Sequence, residues 1–108
     1  MLRVVVDNTA GGDPDLARDL MDRLGAQGFD VELRAPAAGA MFDTAVHTVS
    51  TGIVLRVAQR PAEADLAALQ DVVRAALMER PSLRRRARAI PLHVEGSPRP
   101  IAWIDVFG

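Results

Sequence analysis

Apolar and polar positions change period several times along this chain, and each change predicts an element. Leu2, Val4 and Val6 fall on one face of an extended run that ends at Asp7, and Val5 makes the other face apolar too. That pattern predicts a central strand covered on both sides. Asn8 to Gly12 is loop chemistry. Asp13 followed by Pro14 predicts a helix start, with a side-chain acceptor at the N-cap and a fixed φ at the first helical position. Leu16, Leu20 and Leu24 recur every four residues as an apolar stripe. Arg18–Asp22 and Asp19–Arg23 are spaced to pair on its solvent side. Gly25 and Gly28 predict the helix end. Phe29, Val31 and Leu33 then alternate with Asp30, Glu32 and Arg34, as in a strand with one wet face. Residues 1–34 therefore read as a βαβ-like unit.

Residues 36–39 break the pattern. Phe42, Val46, Val49 and Ile53 fit helical spacing, yet residues 46–57 are dense in Val, Thr and Ile, which favours strand. One reading is a short helix over about 41–50 and a strand over about 52–58; the other is a hairpin turning at Ser50, Thr51 and Gly52. Pro61 opens the longest helical pattern, with Ala62, Leu66, Leu69, Val73 and Leu77 as its buried stripe, and Pro81 stops it. Residues 90–95 alternate as a strand in which Pro91 lacks a ladder donor, predicting an edge position or a bulge. Residues 96–100 form a turn, and residues 101–107 a last strand. The expected fold is a single α/β domain over residues 1–108. Its helices cover one face of a four- to five-stranded mixed sheet, a two-layer sandwich with a βαβ-like start and a C-terminal β-hairpin.

Composition narrows the chemistry. The 108 residues are 49% hydrophobic and 25% charged, the balance of an ordinary globular domain. There is no cysteine, which removes disulfides, thiolate catalysis and cysteine-ligated metal. All thirteen basic residues are arginine, and with the Ala, Gly, Pro and Val content that reads as a GC-rich bacterial genome. Without lysine, a Schiff-base enzyme and a P-loop are excluded. No run approaches the roughly 18 apolar residues a membrane span needs. The first residues read as a strand rather than a leader, so a cytoplasmic protein is expected.

Three features compete as sites. The loop from Asp7 to Asp13 is glycine-rich and feeds a helix N-terminus, as phosphate sites do. However, Asp7, Asp13 and Asp15 would repel a phosphate, and neither nucleotide-binding glycine spacing is present. A small enzyme, or a metal held by Asp7 and Asp13, is the alternative there; a tight turn with an N-cap is the plainer reading. His47 and His93 have no second ligand at helical spacing, so no metal or other cofactor is expected. Ser50 and Thr51 beside His47 lack a nucleophile elbow.

The second feature is charge. Net charge is −1 with a pI near 6.1, but residues 1–54 hold four arginines against eight acids and residues 55–108 nine against six. Arg84, Arg85, Arg86 and Arg88, with Arg80 before them and Arg99 beyond, could meet several phosphates, making nucleic-acid binding an alternative. One Trp, three Phe and no Tyr offer no stacking platform.

The third feature is the last strand. Ile101, Trp103 and Phe107 face one way and Ala102, Ile104 and Val106 the other. A strand apolar on both faces is either central or presents one face to another molecule. Trp103 is the residue type most often found as an interface anchor. Trp103, Ile104 and the arginines at 84, 85, 86 and 88 are therefore the candidate partner-binding residues, for a protein partner or a second copy. The order of elements resembles the effector-associated constant component domains, small proteins of actinobacterial multi-gene conflict systems. The likeness spans residues 2–6, 13–24, 29–34, 66–77, and 92–95 with 101–106 around the turn at 96–100. Residues 45–51 depart from it, being richer in Thr and Val than that family's glycine-and-leucine helix. The resemblance implies a non-enzymatic adaptor that couples an effector to a signalling or protease partner, and it carries over no catalytic residue.

Overall fold

The computed structural model describes residues 2–35, 51–80 and 89–104. Strand β1 (Arg3–Asp7) sends Val4 and Val6 into the core, where both are fully buried, and Val5 onto the opposite face. Helix α1 (Pro14–Ala26) starts as its sequence predicts. The Asp13 carboxylate accepts hydrogen bonds from the backbone of Asp15 at 2.9 Å and of Leu16 at 3.3 Å, and Pro14 follows the cap. Leu16, Ala17, Leu20 and Leu24 form its buried face. At the other end Gly28 takes φ +94. Its N–H reaches the Gly25 carbonyl at 3.0 Å while Phe29 N–H reaches Leu24 at 3.2 Å. This pair of bonds satisfies the last carbonyls and turns the chain into β2 (Asp30–Arg34). Of the two predicted surface pairs, Asp19–Arg23 forms at 2.9 Å, and Arg18–Asp22 does not appear among the described ion pairs.

Beyond residue 50 come β3 (Val54–Val57), α2 (Glu63–Met78), β4 (Ile90–Val94) and β5 (Ala102–Ile104). The expected helix over 41–50 lies outside the described residues. The buried face of α2 is Leu69, Val72, Val73, Ala76 and Leu77. The predicted stripe is corrected at its start: Ala62 is the exposed N-cap and Leu66 is only half-buried, because the helix begins at Glu63 rather than at Pro61.

The five strands form one mixed sheet in the order β2-β1-β3-β4-β5. β1 and β2 are parallel, β3 and β4 are parallel, and β1 meets β3 antiparallel, with Val4 opposite Val57 and Val6 opposite Leu55. The molecule is thus two βαβ units laid side by side about an approximate two-fold axis between β1 and β3. The hairpin strand β5 is added to the second unit. Both helices cover the same face and touch each other, sealing Leu55, Val57, Ile90, Leu92 and Ile104 beneath them. Asp19 fastens the two helices: it accepts from Arg23 Nε and, at 2.8 Å, from Arg80 Nη1 beyond the end of α2.

The structure corrects one expectation for the sheet. β4, despite Pro91, is neither an edge nor interrupted; it runs between β3 and β5. Glu95 N–H donates to Val57, so odd-numbered residues of β4 direct their polar groups toward β3. By that register the bond Pro91 cannot donate would reach Ile53, one residue before β3 begins. The missing donor therefore falls just beyond the end of the β3–β4 ladder rather than within it.

Glycine positions separate cleanly by what a Cβ would meet. At Gly12 it would lie 2.4 Å from the Thr51 carbonyl oxygen and 2.9 Å from Asn8 Oδ1, whereas at Gly25 it meets nothing within 4 Å. Gly12→Ala should cost about 2–3 kcal/mol, because backbone must move to admit it. Gly25→Ala should gain about 0.5–1 kcal/mol from helix propensity. Urea unfolding of the two variants checks both signs.

Candidate functional site

Residues with unusual polar or apolar exposure gather in two places: the loop between β1 and α1, and the sheet face opposite the helices. The buried polar side chains among the described residues are Asp7 and Asn8, where β1 passes into the loop, and Thr51, in the segment before β3 that packs against it. Asp7 closes β1, where the chain leaves the sheet, and its carboxylate is fully engaged. One oxygen accepts from Thr9 Oγ1 at 2.6 Å and Thr9 N at 3.0 Å, and the other from Arg56 Nε at 2.8 Å. Burial alone would raise the Asp7 pKa, but the Thr9 and Arg56 hydrogen bonds outweigh it and hold the carboxyl below its ordinary value. A carboxylate so stabilised and so occupied is a poor base. It ties the loop and β3 to the end of β1.

Asn8 N–H donates to the Arg34 carbonyl at 2.8 Å and its Nδ2 to Gly12 at 3.3 Å, while Oδ1 is buried without a donor. Thr51 Oγ1 accepts from Ile53 N–H. The Asp13 carboxylate already takes the backbone donors of Asp15 and Leu16 at the start of α1. An incoming phosphate would meet two carboxylates and an orphan carbonyl oxygen, with these donors already taken. The loop is therefore built to close on itself rather than to hold an anion. Among the described residues, no three His, Asp or Glu side chains come together to hold a metal ion. His47 and Ser50 lie outside the described residues.

The open sheet face is divided by chemistry. On β2 and β1, Glu32 joins Arg3 and Arg34 at 2.9 Å each, and Asp7 is bridged to Arg56 on β3. A hollow of about 200 Å³ sits among Arg3, Val5, Arg34, Arg56 and Glu95. Each of its guanidinium groups already has a carboxylate partner. His93 is half-buried beside Arg56 in the strand register. Toward the far edge the face turns apolar, with Pro91 on β4 opposite Trp103 on β5.

Trp103 and Ile104 part company here. Trp103 is 60% exposed, and among the described residues Met78 at the end of α2 is the other large apolar residue with high exposure. Ile104 is 1% exposed and lies in the core. Its place among the candidate partner-binding residues is corrected: strand alternation turns it under the helices while Trp103 faces out. Ile101 N–H donates to the Leu92 carbonyl, so even-numbered residues of β4 bond to β5. The Pro91–Trp103 pair falls between bonded pairs, and the Trp103 N–H and C=O point away from β4, to the side of β5 where no described strand pairs. The two edges of the sheet differ. Asp30, Glu32 and Arg34 line the open face of β2 with charge, whereas the described part of β5 carries none.

Arg84, Arg85, Arg86 and Arg88 lie outside the described residues. Of their flanking arginines, Arg80 is committed to Asp19 and to the carbonyl of Ala76, and Arg99 is exposed in the β4–β5 turn. Sequence reasoning did not find Arg56. A lone charge in the apolar run Val54–Val57 marks it as facing the open side of the sheet, but its acid is 49 residues away. No family model, curated protein or solved structure matches the chain, and no helix among the described residues is long and apolar enough to cross a membrane.

The engaged carboxylates set the response to pH. Burial opposes ionisation of Asp19 as it does that of Asp7, but hydrogen bonds from Arg23 and Arg80 likewise leave its pKa lowered. A lowered folded-state pKa means stability fully present above the unfolded carboxylate pKa and lost as pH falls through the folded value. Unfolding free energy should therefore be flat near neutrality and drop on the acid side. Arg56→Gln should cost about 1–2 kcal/mol at neutral pH by leaving a buried carboxylate short of a donor. It should also shrink the acid-dependent loss, measured by urea titration across the pH series.

Proposed function

We propose that this chain is a non-enzymatic protein-interaction module that engages its partner through β5. The partner would belong to a bacterial conflict or signalling system of the kind its element order resembles. The observation that carries the reading is Trp103, a residue 60% exposed on an edge strand of the described sheet. The same residue directs its backbone N–H and C=O outward. A partner strand laid along this edge would gain main-chain hydrogen bonds and cover the indole, and covering a large aromatic contributes about 2–3 kcal/mol. The charged β2 edge offers no equivalent. The acids of the β1–α1 loop are bound in structural roles, which favours a binding module over an enzyme with its site there.

Trp103→Ala should leave the unfolding free energy within about 1 kcal/mol, since the side chain is mostly in solvent. It should weaken capture of the native partner, or self-association measured by sedimentation, by roughly tenfold or more. A folded Trp103→Ala protein that captures at wild-type strength would sink the proposal. Ile104→Asp is expected to unfold the domain instead, because it buries a charge in the core. Hydrogen exchange reads the edge itself: the Trp103 amide should exchange rapidly in the free protein and slow in the complex. An amide still fast while the indole is shielded would place the partner on the sheet face rather than on the edge.

A further inference from the structure

We draw no further inference here: the strongest candidate, the free edge of β5 with the exposed Trp103 indole on the adjoining sheet face, belongs to the surface already described, and nothing in the structure shows what covers it.

Discussion

The antiparallel seam between β1 and β3 holds this domain together. Each half is a parallel βαβ unit with a single helix, and neither buries an apolar face of useful size alone. Joined at the seam, Val4 and Val6 meet Val57 and Leu55, the two helices touch, and one continuous core results. The seam is pinned where β1 ends and β3 begins. There Gly12 packs against the Thr51 carbonyl with no room for a side chain, and Arg56 reaches back to Asp7. The buried polar groups of the loop follow from this approach. Polar groups drawn into the interior this way need partners, and among the described residues Asn8 Oδ1 is buried without one.

Several described charges serve the same task of fastening. Asp7 ties β1 to β3, Asp19 ties α1 to the end of α2, and Glu32 links the outer face of β2 to β1. These groups are also the ones that looked most like chemistry in the sequence: an acidic glycine-rich loop, and the first arginine of a basic stretch. Their occupation removes these groups as obvious sites of chemistry. It shifts attention to an apolar feature instead, an indole that the fold leaves open.

That indole is open because of position in the sheet rather than local sequence. Residues 102–104 alternate small, large and large apolar side chains, and in a central strand both faces would be covered. Among the described strands β5 pairs with β4 alone, so it lies at the edge of that sheet with one face toward α2 and Trp103 exposed on the other. Trp103 is exposed beside main-chain groups that no described strand pairs, in a domain that lines its opposite edge with charge.

Local order was readable from the residues themselves. The Asp13–Pro14 cap, the Leu16–Leu20–Leu24 stripe, the turn at Gly28, the alternation of β2 and the span of the second helix all depend on neighbours within a few positions. Side-chain period and backbone propensity act over that range, so the sandwich with its βαβ start and closing hairpin could be foreseen. Strand order could not. The β1–β3 contact, the interior place of β4 despite Pro91, and the Asp7–Arg56 bridge join residues dozens apart. What selects them is the burial gained when the two halves close, which no local pattern records. The same holds for Trp103 and Ile104. Alternation in the sequence put them on opposite faces, and only the packed sheet decided which face would be core and which would meet solvent.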